Sequence, residues 1–389
     1  MVDAAARIHD SGPAGQAGLS ARVEAGPDAH ARHAAFCRNA FHGPAQHPSW
    51  VSRWAAHVNA DVLFVTVSAG GDELLRLPLE TVPDGLGRIA IAVGGRHANG
   101  NFPAVAKGAV LPEPTALAAA IATAVRRDRP DISLLSLERL QPAIGGCANP
   151  LILPDSPTSP NVALAVDLAG GFEATLQRHS GKRKRKKHRS NERKFQEQGD
   201  VRVYCARTAA EARHLLDAFF TVKAARFASM GIQNVFGSTE VQRFFHDLFA
   251  DALADGTGNF VLHGLEVGGT VRAVTGSSLC DDRMICEFSG FLPDETTNTS
   301  PGDYLFFETI RWACENGFAV HDFSVGDEPY KRLWCDIETV QHDTLIALNT
   351  RGHVSAAVQS GASALKRTVK NSAPLWAAYK ALRRMRNGN

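Results

Sequence analysis

The chain has 389 residues, 44% of them hydrophobic and 21% charged, which excludes a disordered or fibrous protein and provides length for two or three domains. Its longest apolar run, Ala116 to Val125, covers ten residues, too few for a membrane-spanning helix, and residues 1–20 lack the basic-then-apolar order of a secretory signal. Seven cysteines without a Cys-x-x-Cys pair argue against a disulfide scaffold and a cysteine zinc site and point to a reducing cytoplasm. The net charge of +2 conceals two basic segments: Lys182 to Lys194 holds nine Lys or Arg against Glu192 alone, and after Asp343 eight follow with no acid. The rest of the chain is acidic. Such segments bind nucleic acid, anionic lipid or a polyanionic substrate, or form a solvated helix face.

In chain order, residues 1–30 are rich in Ala, Gly and Asp without periodicity, and read as a disordered tail. Pro48 to Val58 predicts a short helix with Trp50 and Trp54 on one face. Asp61–Ser68 and Glu73–Glu80 alternate around Gly70-Gly71, a hairpin signal. A strand at Arg88–Val93, a helix at Pro114–Arg127 and a buried strand at Ile132–Leu137 complete a first unit, and Pro142 to Pro160 reads as a linker. Phe172 to Gly199 then predicts a basic helix and Val201–Cys205 a strand. Two helices follow, one marked by Leu216, Phe219, Phe220 and Phe227, the other by Val241, Phe244, Phe245, Leu248, Phe249 and Ala252 at helical spacing. Asn259–Val267 and Thr270–Cys280 form a hairpin around Gly268-Gly269, and Met284–Leu292 is a third strand. A helix from Pro301 to Asn316, a strand at Ala319–Val325, a short helix near Tyr330–Cys335 and a strand at His342–Leu348 end the order β α α β β β α β α β. The first unit repeats part of this order, as a duplicated fold would.

The helix after Thr299 is the most informative element. Ser300 can cap it, Pro301 suits its first turn, Asp303 completes a Ser-x-x-Asp box and Gly302 leaves the backbone open. Its free N–H groups and positive dipole end suit a phosphate. The strand at Ala319–Val325 runs into Gly326-Asp327-Glu328-Pro329-Tyr330-Lys331-Arg332-Leu333-Trp334, and ligands of open α/β sheets gather at such strand ends. His30 and His33 have no third ligand nearby, so no metal is expected. Neither a Gly-x-Ser-x-Gly elbow nor a Gly-x-x-x-x-Gly-Lys-Ser/Thr loop occurs.

This order, with Ser300-Pro301-Gly302-Asp303-Tyr304-Leu305 and Asp322-Phe323-Ser324-Val325-Gly326-Asp327-Glu328-Pro329-Tyr330-Lys331-x-x-Trp334, resembles the GNAT acyltransferase superfamily. More narrowly it resembles the cellulose-biosynthesis-type branch, related to the Fem peptidoglycan transferases, in which two such folds are fused. His47-Pro48-Ser49-Trp50 and Asn99-Gly100-Asn101-Phe102-Pro103 look like the weaker N-terminal half of that branch; the superfamily's strict Arg/Gln-x-x-Gly-x-Gly/Ala loop is absent.

The resemblance implies an α/β (α+β mixed-sheet) protein of two fused GNAT-like folds, the N-terminal one degenerate. The expected division is a tail at 1–30, an N-terminal half at 31–141, a linker at 142–161, an active half at 162–350 and a basic tail at 351–389. The implied activity is N-acyl transfer from acyl-CoA (acetyl-CoA or longer), without a metal, to an amine acceptor such as an amino-sugar or another polysaccharide or envelope precursor. The thioester would lie between the strands at Met284–Leu292 and Ala319–Val325. Tyr330 is the expected acid, and Glu287 or Asp327 the base. Phe288, Ser289, Ser300, Gly302, Asp303 and Tyr304 are the expected CoA contacts, and Asn99, Asn101, Phe102, Glu328, Lys331 and Trp334 the acceptor contacts. The rivals are a Fem-like transferase drawing an aminoacyl group from tRNA and a non-catalytic polyanion-binding adaptor in an exopolysaccharide synthesis complex. The expected location is cytoplasmic, peripheral at the inner membrane if the basic C-terminal segment meets anionic lipid; nucleic acid other than tRNA is not expected, since only Phe195 interleaves the basic run.

Overall fold

The computed structural model describes residues 18–292 and 299–371. Its elements are β1 (Ser20–Ala25), α1 (Pro27–Cys37), β2 (Ala40–Phe41), α2 (Pro48–His57), β3 (Val62–Ala69), β4 (Asp72–Asp84), β5 (Gly87–Ala92), β6 (Ala104–Ala106), α3 (Pro114–Asp128) and β7 (Ile132–Leu140). A small hairpin, β8 (Ala143–Ile144) and β9 (Cys147–Ala148), precedes β10 (Thr158–Asp167), α4 (Gly171–Arg178), α5 (Gly181–Gln196), β11 (Val201–Cys205), α6 (Ala209–Ser229) and α7 (Thr239–Ala254). Then follow β12 (Phe260–Val267), β13 (Thr270–Cys280), β14 (Arg283–Phe291), α8 (Pro301–Glu315), β15 (Val320–Val325), α9 (Pro329–Arg332), β16 (Ile337–Ala347) and α10 (Thr350–Asn371).

Local chemistry explains most boundaries. The β12–β13 turn needs positive φ at both central residues, and Gly268 and Gly269 supply 55° and 75°. The Oγ1 of Thr208 caps α6 by accepting from Glu211 N at 3.1 Å, and the Oγ of Ser238 caps α7 by accepting from Val241 N at 3.2 Å. The basic helix expected over Phe172–Gly199 is two helices, because Ser180 takes a left-handed φ of 59°. At that break Gly181 passes so close to Leu176 that a Cβ would stand 2.7 Å from its carbonyl oxygen.

The principal sheet has fourteen strands, ordered β1-β3-β4-β5-β7-β16-β10-β15-β14-β13-β12-β11, with β6 beside β4 and β2 beside β6. Along this path only β5–β7 and β14–β15 are parallel. Each parallel pair is bridged by a crossover helix that starts with proline, α3 and α8, so the two halves repeat one plan. They also exchange strands: β10 follows the first half but lies against β15, while β16 follows the second half but lies against β7, and β10 pairs with β16. The fold is thus a mixed α/β tandem arranged on one continuous sheet.

One core packs α2 of the first half against α6 and α7 of the second through Trp50, Trp54, Phe244 and Phe245. A second core, with Leu117, Ile121 and Val125 of α3, fills the first half. On the opposite face of the second half, α4 and α8 cover Met284, Cys286 and Phe323.

Three expected boundaries differ. Part of the tail is ordered, because Ser20–Ala25 adds β1 to the edge of β3 in register; residues 1–17 lie outside the described residues. The proline-rich segment expected as a linker contains a hairpin and the start of β10, whose pairing with β16 crosses residue 162. The basic C-terminal segment begins as α10, held to β7 where Ser136 Oγ donates to Gln359 Oε1 at 2.8 Å, and residues 372–389 lie outside the described residues.

The exchange predicts that the halves do not fold separately. Residues 18–157 lack β16 and leave β7 with an open edge; expressed alone they are expected to aggregate or pair through it, as read by size-exclusion chromatography. A monomer with a cooperative melt would contradict this.

Candidate active site

Strands β14 and β15 pair only at Arg283↔Val320, Met284↔His321 and Ile285↔Asp322, and then part. Beyond Ile285 the inner edge of β14 has no partner in the register of β15, so its backbone groups face a gap that an extended ligand can enter. Two irregularities shape it. On β14, Gly276 pairs with Phe288 and Ser277 with Cys286, leaving Glu287 as the extra residue of a bulge. On β15, Ser324 takes a φ of 62°, and its register with β10 shifts between Ala163 and Ala165.

Glu287 is the central charged group. Its Oε1 accepts from Ser278 Oγ at 2.6 Å and its Oε2 from Asn99 Nδ2 at 2.8 Å. Burial pushes its carboxyl up to about 7; nearby Asp322 adds to this, while the Ser278 and Asn99 hydrogen bonds and the Arg139 guanidinium oppose it. A carboxylate poised near neutrality is suited to accept a proton. Asn99 comes from the other half and also donates to the Glu287 backbone carbonyl at 2.9 Å.

The equivalent gap in the first half is closed. There β5 and β7 pair as far as Ile91↔Ser136, and residues 99–102 enter beside the end of β7, with Asn101 N donating to Arg139 O at 2.8 Å and Gln141 N to Asn101 O at 2.9 Å. This plug accounts for two expected acceptor contacts. Asn101 is buried and gives its side chain to the Glu138 carbonyl at 2.8 Å, and Phe102 is fully buried in the first-half core. Neither faces a ligand.

The strand-end motif divides in the same way. Tyr330 stacks on Phe306 at 5.4 Å and 7° and stands edge-on to Phe323 at 6.1 Å; burial raises its phenol pKa, Cys286 and Glu328 reinforce the shift and Arg226 opposes it. Asp327 is not free to act as a base: it is exposed and grips Arg332, with Oδ1 2.5 Å from Nε and Oδ2 3.0 Å from Nη2. Lys331 points inward and is 4% exposed. Its ammonium donates to the carbonyls of Ser324 at 3.3 Å and Val325 at 2.9 Å and pairs with Glu328 at 3.0 Å. It holds the end of β15 and does not contact an acceptor. Trp334 is also buried, beneath the Lys184 ammonium at 3.5 Å.

At the start of α8, Ser300 makes no side-chain cap, and the Asp303 carboxylate is in an ion pair with Lys187. Gly302 leaves less room than its sequence context implies: an added Cβ would lie 3.1 Å from the Phe291 ring. Tyr304 stacks on His188 at 4.2 Å. Phe288 contributes its side chain to the aromatic core against Phe219, at 4.3 Å, so only its backbone can meet a ligand, and Ser289 is half-buried opposite Thr275. Beside this terminus, α5 and α8 enclose a cavity of about 340 Å³ whose floor includes Phe307 and Trp334 and whose rim includes Arg183, Lys184 and Lys187. Two further cavities, about 380 and 530 Å³, lie between the halves and share Pro44, Ile144, Cys280 and Asp281.

Residues 182–332 match the family model described as an acetyltransferase (GNAT) domain. Over this stretch the chain is similar to GNAT acetyltransferases. Among solved structures it is similar to FemX, at 10% identity over 84% of this chain and 97% of that one, with a TM-score of 0.53. The C-terminal domain of a putative lysylphosphatidylglycerol synthetase from Agrobacterium fabrum aligns at 11% identity over 86% and 95% of the two chains with a TM-score of 0.47. A tandem GNAT protein from the clavulanic acid biosynthesis pathway aligns at 11% over 85% and 99% with a TM-score of 0.46. No curated protein matches the sequence. At such identities the likeness concerns the fold alone. Among the described residues no group of three or more His, Cys, Asp or Glu can hold a metal, and no helix is long and apolar enough to cross a membrane.

Sequence reasoning missed Lys223, within residues 182–332. Burial pushes its ammonium down to about 8, and Arg226 adds to this while Cys286 and Glu328 oppose it. Its only sequence signal is a cation one residue after Val222, on the helix that carries Phe219 and Phe220.

Lys331→Met removes the donor from two strand-end carbonyls. The expected cost is about 1.5–3 kcal/mol of stability, measured by urea unfolding. An unchanged midpoint would show that water replaces the ammonium.

Proposed function

We propose that the chain is an acyl-CoA-dependent N-acyltransferase whose second half carries the reaction. The parting of β14 and β15 with Glu287 at the bulge beside it is the observation that carries this reading. The residues fit the donor: unpaired backbone edges for the pantetheine arm, free α8 N–H groups near Gly302 for the pyrophosphate, and a cation-rimmed, aromatic-floored cavity for the nucleotide end. When bound, acyl-CoA supplies an activated acyl group as a thioester.

Glu287 takes the proton of the attacking amine, and Asn99 and Ser278 orient its two oxygens. Backbone N–H groups of β14 beyond the bulge stabilise negative charge on the carbonyl oxygen. Tyr330, kept protonated by burial, gives its proton to the departing thiolate. The cavity between the halves, lined by Ile285 and Asp322, provides the acceptor's approach. An amino-sugar or other envelope precursor is the proposed acceptor on the strength of the family resemblance.

A Fem-like aminoacyl-tRNA donor is the second reading, favoured by α5, where Lys182, Arg183, Lys186, Arg189 and Arg193 are exposed. Calorimetric titration separates the two. Micromolar binding of acetyl-CoA or a longer acyl-CoA supports the first reading; tight tRNA binding without CoA binding supports the second.

In the first reading the base works only when ionised, so the acyl transfer rate should rise with pH through about 7. Asn99→Ala removes a hydrogen bond that favours the ionised form, and the acidic limb of the pH–rate profile should move to higher pH. Glu287→Gln should cost roughly 10²–10⁴-fold in kcat. An unmoved limb in Asn99→Ala would assign the titration to another group. Tyr330→Phe keeps the stack on Phe306, so its melting temperature should hold while kcat falls and donor affinity stays; full turnover would end its role as acid.

A further inference from the structure

We infer that Lys223 and Arg226 bind an anionic group of the substrate, a carboxylate or a phosphate, where β14 and β15 separate. This rests on the N-acyltransferase reading for the position of the reacting groups, though the anion site can be read by itself.

Both cations lie on α6, one turn apart, where the helix crosses the end of β14. A Cβ on Gly290 would stand 2.9 Å from Phe219 of that helix, so the backbones are in close approach. The Lys223 ammonium is 5.6 Å from the ring centres of Phe219 and Phe227 and 5.9 Å from that of Phe236. The Arg226 guanidinium stands 5.2 Å from the Phe291 ring at the last residue of β14. Among the described residues neither cation has a carboxylate within ion-pair distance. The acid whose field reaches Lys223, Glu328, is engaged by Lys331 at 3.0 Å.

Some other cations of the domain are neutralised by carboxylates. On α5, Arg185 is paired with Glu173 and Lys187 with Asp303. Like charges one turn apart destabilise a helix, and burial opposes a lone ammonium; a bound anion offsets both. Lys223 is half-buried beside these rings, so its attraction to an anion is less screened than that of the exposed Arg226. The Arg226 charge also opposes the upward shift of the Tyr330 phenol, so its field reaches the proposed acid. A ligand held here has its anionic end at the mouth of the gap and its reacting end near Glu287.

The anion could belong to the acceptor or to the acyl chain, and binding measurements on the full chain distinguish them. One calorimetric arm compares glucosamine 6-phosphate with glucosamine; the other compares succinyl-CoA with acetyl-CoA. The anionic member of one arm is expected to bind roughly tenfold tighter or better. In Lys223→Met and Arg226→Gln that preference should fall toward parity, with the affinity of CoA itself and the melting temperature unchanged. Parity in both arms for the unsubstituted chain overturns the inference, and so does a preference that survives both substitutions. If no CoA ester binds, the acyl-CoA reading fails, while the sugar-phosphate arm still reads the anion site.

Discussion

The backbone pairing of β16 is the constraint on which the rest of the molecule depends. This strand bonds to β7 on one side and to β10 on the other, and β10 bonds in turn to β15. Each half therefore completes its sheet with a strand encoded beyond or before itself. A buried strand edge without a partner would leave several N–H and C=O groups without hydrogen bonds, at a cost of about 1–3 kcal/mol each. Joining the halves through such a ladder fixes their relative position far more tightly than side-chain contact would. The position of Asn99 against Glu287 is a consequence, because two groups on separate halves meet at 2.8 Å only if the halves do not slide.

The same plan appears twice with opposite outcomes. In the first half the backbone at 99–102 occupies the space beside β7; in the second, no described segment enters between β14 and β15. The plug satisfies the strand edge at Arg139 and Gln141, and it carries Asn99 across the interface. Losing one ligand gap and supplying a partner for the other half's carboxylate are thus one structural event. Under the proposed function this gives the first half a positioning role without requiring a second active centre.

Much of the architecture was legible because local chemistry and periodicity agreed. The glycine turns, the helix with Phe244, Phe245, Leu248 and Phe249 on one side, and the proline starts of α3 and α8 all follow from rules acting over a few residues. The strand exchange was not legible, since no local pattern says which edge β10 and β16 will meet. For the same reason Asp327, Lys331 and Trp334 read as site residues: a charged and aromatic cluster after a strand looks alike whether it faces a ligand or holds the strand end. Lys331 shows the difference, its ammonium turned onto the Ser324 and Val325 carbonyls. Glu287 stands out in the sequence as a candidate position, but its bulge and its Asn99 partner depend on register and on a contact 188 residues distant.

Glu287 also shows why the interface and the chemistry belong together. Covered only by its own half, the carboxylate would keep more water and titrate lower. Closure by the first half removes water, which raises the pKa, and supplies Asn99 and Arg139, which restrain the rise. The balance leaves the group near neutrality and not permanently protonated. A carboxylate buried without those partners would hold its proton through the physiological range and could not take one from an amine. In the proposed reaction the degenerate half therefore acts through solvation and hydrogen bonding at one residue, and its retention of a complete sheet is what makes that contact stable.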